Sequence, residues 1–545
     1  MKLVTVAEMQ AIEKEADAAG LTYEQMMENA GRGLAEVVAA VYRPQSEEGI
    51  LGLVGSGNNG GDTLVALAHL AEKGWMASAY IVRPRPPDDP LISRLEQAGG
   101  KIYTVEADTG FNQLKTLVGT HAVVLDGILG TGIRLPLKPE LAEILDTARK
   151  TILRLEESPH VVAVDVPSGI DCDTGEAAPE CIPAELTVTM AAVKQGLMKF
   201  PAYKLVGDLK VVGIGLPEDG MGLKAWQAVR RVVPSPDRIR QILPERPLDA
   251  HKGTFGTALI IAGSINYTGA ALLAGEAAYR IGAGLVTMAV PGPLHAILAG
   301  QFPEATWLLL PHEIGVIAAT AVDVVRENLK RATALLIGPG IGMEDTTAEF
   351  LSRLIAGAPR AGRTGMGFVR AQQETTRQEP YDLPPLVIDA DALKLLARIP
   401  EWAKHLPAPA VLTPHPGEMA ILTSLSKDEI QADRIGIAER FSQEWGHVVV
   451  LKGAFTVVAA PDGQVAVIPV ATPALARAGT GDVLAGLIAG LLAQGVEAFP
   501  ASLAGTWIHA QAGIMAAQTS GNTASVLAGD VLYAVGGVLT ELLET

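Results

Sequence analysis

Ile50-Leu-Gly-Leu-Val-Gly-Ser-Gly-Asn-Asn-Gly-Gly-Asp62 joins a short apolar run to a glycine-rich turn, and an apolar stretch of helical periodicity follows over Thr63–Lys73. A short apolar run bounded by turn signals reads as a buried strand, and the periodic stretch as a helix packed on it. Glycines at such a junction let backbone approach an anion closely, and the N-terminus of the next helix favours negative charge. A carboxylate beside that anion hole adds nothing to phosphate affinity, so Asp62 is expected to have chemical work.

The pattern repeats outward from this point. Ala77–Val82, Ala122–Leu125 and Val161–Val166 read as further short strands, with helical stretches such as Glu140–Thr151 between them. Strand-then-helix order predicts a parallel sheet covered by helices, a Rossmann-like three-layer αβα domain with ligands beyond the strand C-termini. Residues 232–251 then carry Pro234, Pro236, Pro244 and Pro247 among charges, the composition of a linker or entry loop. A second series of strands runs through Thr257–Ile261, Ala334–Ile337, Leu386–Ile388, Ala410–Leu412 and Val448–Leu451. It leads to a second glycine turn closed by an aspartate, Ala478-Gly-Thr-Gly-Asp482. The expected division is 1–225, a linker over 226–247, and 248–545, with a polar surface insertion at 359–385.

Bulk properties agree with two α/β domains. A chain of 545 residues is too long for one ordinary core, and 48% apolar residues with 58 glycines and 19% charged residues suit compact domains with many tight turns. A net charge of −17 without a basic block argues against nucleic acid or an anionic membrane as partner, while leaving nucleotides open. Two cysteines, Cys172 and Cys181, form no metal-spaced cluster, and the reducing cytoplasm is the expected compartment. The N-terminal segment with Glu8, Glu13 and Glu15 reads as an amphipathic helix without a signal core. Val483–Val496 is too short to cross a bilayer and reads as a core helix.

Gly55-x-Gly57-x-x-Gly60 satisfies the bare dinucleotide fingerprint, but the second strand runs into Arg83-Pro84-Arg85, with no acid for a ribose. Asn58 and Asn59 offer side-chain donors and acceptors that a pyrophosphate turn does not need, which counts against a redox domain. Asp126 precedes Gly127-Ile-Leu-Gly130-Thr-Gly132, and Asp165 runs into Pro167-Ser168-Gly169. Asn, Asp and Ser oxygens at strand ends are the hard ligands an alkali or alkaline-earth cation uses; capping of loops by Asp126 and Asp165 is the plainer alternative.

Met27-x-Asn29-Ala-Gly31, Gly57-Asn-Asn-Gly-Gly-Asp62, Asp126-x-x-x-Gly130-Thr-Gly132 and Asp165-x-Pro167-Ser168-Gly169 together resemble the NAD(P)H-hydrate epimerase family across the whole first half. That resemblance implies that Asn58, Asn59, Gly60, Gly61 and Asp62 hold the hydrated dinucleotide with Gly130, Thr131, Gly132, Ile133, Arg134, Leu135 and Pro136. It implies K+ at Asn59, Asp126 and Ser168, and Asp165 as acid/base at the hydrated ring. Thr63 stands where the family usually continues with glycine, and is expected to narrow the turn slightly.

In the second half, a glycine turn at a helix N-terminus suits charge on a transferring phosphoryl group, and Asp482 suits proton removal from a hydroxyl. No P-loop pattern is present. Gly479-Thr-Gly-Asp482 resembles the ribokinase-like superfamily. His251-Lys-Gly253-Thr-Phe-Gly256, Tyr267-Thr-Gly269-Ala270-Ala271, Ile337-Gly-Pro-Gly340-Ile-Gly342, Asp389-Ala-Asp391, Thr413-Pro-His415-Pro-Gly-Glu418 and Lys452-Gly453 resemble its ADP-dependent NAD(P)H-hydrate dehydratase branch. The resemblance implies that Ala270, Gly340, His415 and Asp482 face the hydrated nicotinamide nucleotide. It places the adenine nucleotide at Lys452, Gly453, Ala454, Phe455 and Thr456 with Gly479, Thr480 and Gly481, and Mg2+ at Glu418 through water. Asp391 is open between binding substrate and capping a helix, and Arg477 is expected to add a phosphate contact.

The two resemblances together imply repair of hydrated NADH and NADPH by a homo-oligomer that takes those hydrates and ADP. The alternative is a ribokinase-like, ATP-dependent small-molecule kinase fused to a non-catalytic ligand-binding domain.

Overall fold

Ile50–Val54 forms a strand (β1) whose five residues are all buried, in a computed structural model that describes residues 1–217, 220–357 and 382–544. Burial on both faces follows from the alternation of side chains along a strand. Ile50 and Val54 join one apolar cluster, with Leu34 of Tyr23–Val41 (α2) and Leu64 and Leu67 of Asn58–Glu72 (α3). Leu51 and Leu53 join the other, with Leu114 and Leu117 of Asn112–Thr120 (α4) and Ile144 and Leu145 of Pro139–Ile152 (α5). Two helix layers therefore enclose one sheet. The first helix of the chain, Val6–Ala18 (α1), is closed by a Thr5–Glu8 capping box.

The chain divides into two units, Met1–Val233 and Pro234–Thr545. In the first, β1 is joined by Ala77–Ile81 (β2), Lys101–Thr104 (β3), Val123–Gly127 (β4), His160–Val164 (β5), Leu186–Met190 (β6) and Asp208–Val212 (β7), in the spatial order β3-β2-β1-β4-β5-β6-β7. All pairings are parallel. The order reverses between β1 and β4, and a crevice opens there at the strand C-termini.

The junction after β1 departs from its expected form. Helix α3 begins at Asn58, with Gly57 as N-cap, so Asn58, Asn59 and Asp62 sit in its first turn rather than in a turn before it. Composition suggested a loop; close packing explains the glycines instead. A Cβ on Gly60 would lie 2.0 Å from the carbonyl oxygen of Gly55, and one on Gly61 would lie 2.6 Å from Sδ of Met27. Thr63 turns its hydroxyl back to the carbonyl of Asn59 at 2.8 Å, and a Cβ on Gly127 would lie 1.8 Å from that hydroxyl oxygen.

In the second unit, Thr257–Ile261 (β8), Leu285–Pro291 (β9), Thr306–Leu310 (β10), Ala334–Ile337 (β11), Leu386–Ile388 (β12), Val411–Leu412 (β13), Val448–Leu451 (β14), Val457–Ala459 (β15) and Val465–Val467 (β16) run in the order β16-β15-β14-β13-β12-β11-β8-β9-β10. The strands from β8 to β14 pair in parallel, and β15 and β16 extend the edge as antiparallel strands. Leu259, Ile261, Leu335 and Ile337 pack on Phe350, Leu351 and Leu354 of Asp345–Ala356 (α7). On the other side Thr480–Ala493 (α9) lies against Thr268–Arg280 (α6). A Cβ on Gly486 of α9 would stand 2.2 Å from the carbonyl of Ala274, so glycine permits the close crossing. The strand order reverses again between β8 and β11.

Val483 to Ala493 is buried within α9, and among the described residues no helix is long and apolar enough to cross a membrane. The insertion expected at 359–385 lies largely outside the described residues.

Candidate active sites

A cavity of about 510 Å³ opens at the β1/β4 reversal of the first unit. Asn58, Asn59, Asp62, Gly130, Thr131, Gly132, Ile133 and Asp165 line it. Arg134, Leu135 and Pro136 do not line it, and neither do Gly60 and Gly61, whose places are fixed by the packing above.

Asp165 follows β5 with a φ of 63°, a left-handed conformation that side chains other than glycine, asparagine and aspartate rarely take. Three donors hold its Oδ1: Thr189 Oγ1 at 3.0 Å, the backbone N–H of Met190 at 2.9 Å and the ammonium of Lys194. Lys194 is 1% exposed and also donates to Thr189 Oγ1 and to the carbonyl of Met190. Sequence reasoning missed it. The signal available was a single charge in the largely apolar stretch Leu186–Met198, which requires a buried partner.

Asp62 has a different environment. Burial, with the nearby charge of Asp165, raises its carboxyl well above the usual range. Glu13 of α1 also lines the cavity, and burial raises it too.

Beneath the crevice Asp126 is fully buried, and burial raises its carboxyl as well. Its Oδ1 accepts from Ser168 Oγ at 2.5 Å and its Oδ2 from the Ser168 N–H at 2.8 Å. Asn59 Nδ2 donates to the carbonyl of Leu129 at 2.9 Å, which brings Asn59, Asp126 and Ser168 around one loop. No cationic side chain reaches Asp126 within ion-pair distance among the described residues. An uncompensated buried carboxyl with amide, hydroxyl and carbonyl oxygens nearby is a donor set that fits a monovalent cation.

The second site follows the C-terminal ends of β8 and β11–β14. Gly340, at φ 63°, faces α6, where a Cβ would lie 2.9 Å from Cβ of Ala270. The next loop is tied to Asp391, whose Oδ2 accepts from the Gly342 N–H at 3.1 Å while Oδ1 accepts from Lys394 at 3.0 Å. Asp391 therefore braces two loops; the N-cap position of its helix belongs to Ala390.

His415 is the N-cap of Pro416–Thr423 (α8). Its Nδ1 accepts from the N–H groups of Gly417 and Glu418, and Glu418 Oε2 accepts from the His415 N–H at 2.9 Å. The spacing of the two residues is that of a capping box. Nδ1 as acceptor places the ring proton on Nε2. Burial, with the positive charge of Lys452, lowers the imidazole below its usual range. His415 and Glu418 border a cavity of about 450 Å³.

Lys452 lies at the centre. Its ammonium is 2.6 Å from Asp389 Oδ1 and 3.8 Å from Glu418 Oε2, and a Cβ on Gly481 would be 3.5 Å from it. Burial opposes its charge, but Asp389 and Glu418 outweigh burial and hold Lys452 above the usual lysine range. Asp482, in the first turn of α9, is pushed up to about 7, by burial first and by Asp389 second. Asp389 Oδ2 is buried without a hydrogen-bond partner among the described residues. An orphaned carboxylate oxygen beside Glu418 fits a metal-bound water. No group of three or more His, Cys, Asp or Glu side chains forms a metal cage among the described residues, so Mg2+ would depend on phosphate oxygens and water.

The remaining expected nucleotide contacts divide. Gly453 lies against Arg434, whose guanidinium donates to the carbonyls of Leu451 and Lys452. Thr456 Oγ1 closes the loop on the carbonyl of Gly453 at 2.8 Å. Phe455 is buried, so it supports the loop from below. Thr480 turns its hydroxyl to the carbonyls of Leu475 and Arg477. Arg477 is exposed and donates to the carbonyl of Ala524.

Comparison with known proteins agrees with both halves. The family model described as YjeF-related protein N-terminus matches residues 23–196, and the one described as NAD(P)H-hydrate dehydratase matches residues 258–533. The bifunctional NAD(P)H-hydrate repair enzyme Nnr of Moorella thermoacetica is 36% identical, covering 100% of this chain and 98% of that protein. The enzyme of the same name from Salinibacter ruber is 34% identical, covering 99% and 96%. A crystal structure of the ADP/ATP-dependent NAD(P)H-hydrate dehydratase from Bacillus subtilis, co-crystallised with ATP and Mg2+, is 28% identical with a TM-score of 0.44, covering 56% of this chain and 97% of that one.

Proposed function

The chain belongs to the family of bifunctional NAD(P)H-hydrate repair enzymes, and we propose that the two sites described above divide that family's work. The protein epimerises the R and S hydrates of NADH and NADPH and dehydrates the S hydrate, with cleavage of ADP to AMP and phosphate. The epimerase spans residues 1–225 and the dehydratase 248–545, and the segment 226–247 expected to join them is divided between the two units at Val233 and Pro234. The match along the full length of both relatives disfavours a small-molecule kinase fused to a non-catalytic domain. The observation that carries the assignment of residues is the pairing of a phosphoryl-suited helix N-terminus with a carboxyl pushed up to about 7 at Asp482.

A hydroxyl on a saturated ring carbon leaves poorly until it is phosphorylated. Asp482 takes the hydroxyl proton of the S hydrate, and the backbone N–H groups of Gly479 and Gly481 receive the charge of the transferring phosphoryl group, while the Thr480 N–H closes the turn on the Arg477 carbonyl. Loss of phosphate then restores the dihydropyridine ring. Ala270 and Gly340 form the wall for the nicotinamide half, and His415 donates from Nε2. Residues 452–456 hold the adenine nucleotide, with Lys452 fixing Asp389 and Glu418 rather than reaching far into solution. Glu418 and Asp389 would hold Mg2+ through water, and the ion would neutralise phosphate charge there.

In the first site, Asn58, Asn59, Asp62 and the 130–133 loop receive the hydrated dinucleotide, and Asp165 meets the ring. Asn59, Asp126 and Ser168 would hold K+, which would supply the positive charge that Asp126 otherwise lacks.

The test is recovery of NADH absorbance from a mixture of hydrated NADH epimers, with ADP, ATP or neither. Full recovery with ADP is expected. Recovery of the S share alone leaves the first unit without its activity, and no recovery with either nucleotide overturns the reading.

A further inference from the structure

One carboxyl of the first cavity has had no role so far. Met9, Ile12 and Ala16 are buried on one face of α1, and Glu13 shares that face by helical spacing, where an apolar residue is expected. Its neighbours have ordinary roles: Glu8 closes the capping box, and Glu15 accepts from the N–H groups of Lys224 and Ala225. Glu13 makes no hydrogen bond or ion pair with another described residue, and it lines the cavity with Asp62, Asp165 and Lys194. A carboxyl turned inward without a partner is costly to fold around.

We propose that Glu13 is a second proton-handling carboxyl of the epimerase site, entering from the helix layer while Asp165 enters from the sheet. The inference rests on the epimerase reading. Inverting a carbon that bears a hydroxyl next to the ring nitrogen needs the hydroxyl to leave and water to return on the other face. The C–O bond breaks with its electron pair going to oxygen, one carboxyl protonates that oxygen, and water departs. The nitrogen lone pair fills the vacated position and gives a conjugated cation. Water then adds to the opposite face and releases a proton to the other carboxyl. Atoms and charge return to their starting totals, and the reverse reaction uses the same pair with roles exchanged. Burial, with Asp165 adding to it against Lys194, raises the Glu13 carboxyl and so favours its proton-bearing form. The other charged groups lining the cavity are Asp62 and Arg83.

The experiment uses the full chain, so dehydration in the second unit is the internal control. Glu13→Gln is expected to slow epimerisation by about 100-fold and to remove one limb of its pH profile, with Glu13→Asp recovering part of the rate. Glu13→Leu, which completes the apolar face, is expected to keep or raise the melting temperature while losing epimerisation. In heavy-oxygen water, each inversion by the wild type should exchange the oxygen of the ring hydroxyl. An active wild type with Glu13→Gln within about threefold of it, or inversion with the original oxygen retained, overturns this inference alone. A wild type that does not epimerise overturns the epimerase reading with it.

Discussion

Lys194 in the first unit meets one carboxylate and two neutral oxygens, whereas Lys452 in the second stands between Asp389 and Glu418 and acts on Asp482 as well. Each site gathers three acids around one lysine, buried in the first and half-buried in the second: Glu13, Asp62 and Asp165 in the first, Asp389, Glu418 and Asp482 in the second. They differ in where the compensation falls. In the first, the cation is committed to Asp165, and burial raises Asp62 and Glu13, which suits chemistry that moves protons. In the second, the cation is shared among acids, one acid oxygen is left unpartnered, and a single aspartate is set near neutrality, which suits transfer of a phosphoryl group. The same residue types are set differently because one lysine is paired with a single carboxylate and the other is shared between two.

The sharpest way to break the comparison is Asp482→Asn. Dehydration should fall by about 1,000-fold while epimerisation, followed by chiral chromatography of the hydrates, stays at the wild-type rate; loss of both would mean the sites are not independent. Next are the lysines. Replacing either by methionine leaves buried carboxylates without their cation, and each should cost about 3–5 kcal/mol in denaturant unfolding. Lys452→Met should also raise Asp482 further, so the acid limb of dehydration moves to higher pH. In the wild type that limb is expected at pH about 7. Asp482 must be deprotonated to accept the hydroxyl proton, so kcat/KM falls about tenfold per unit of pH below that point. Epimerisation should not follow this limb, and a shared limb would dissolve the contrast.

A smaller effect is expected from Gly31→Ala. The added Cβ would lie 2.5 Å from Cβ of Val65 and 2.8 Å from the carbonyl of Asp62, which pushes α3 away from α2. A cost of about 1–3 kcal/mol with slower epimerisation and unchanged dehydration would show that helix spacing sets the position of Asp62. Arg477→Ala comes last. Its guanidinium already has the Ala524 carbonyl on an exposed surface, so stability should change by less than about 0.5 kcal/mol. An unchanged KM for ADP would remove the phosphate contact expected for it.

Strands that are buried on both faces were legible because apolar residues predominate in them. Thr257–Ile261, Ala334–Ile337 and Leu386–Ile388 fall where their apolar runs place them. Helix starts rich in glycine were not. Asn58-Asn-Gly-Gly61 has turn composition, and only the approach of Gly60 to Gly55 and of Gly61 to Met27 shows why it is helical. Motif-bearing residues were found by type and spacing, yet the groups that set their charge were not. Lys194 comes from a two-residue strand paired with Leu3–Val4, a contact almost as long in sequence as the first unit itself. Glu13 was read only as part of an amphipathic helix, where nothing in its residue type sets it apart from Glu8 and Glu15.

The contact between Thr63 and Gly127 makes the two positions depend on each other. With threonine at 63, a methyl group at 127 would stand 1.8 Å from the hydroxyl oxygen; without that side chain, the nearest remaining neighbour would be the Asn59 carbonyl at 3.2 Å. Glycine at 63 would leave position 127 some room, whereas threonine confines it to glycine for as long as the Thr63 hydroxyl stays turned to the Asn59 carbonyl. Two positions on different elements are thereby tied into one choice, and a substitution at 127 is tolerated only together with one at 63 or a rotation of its side chain.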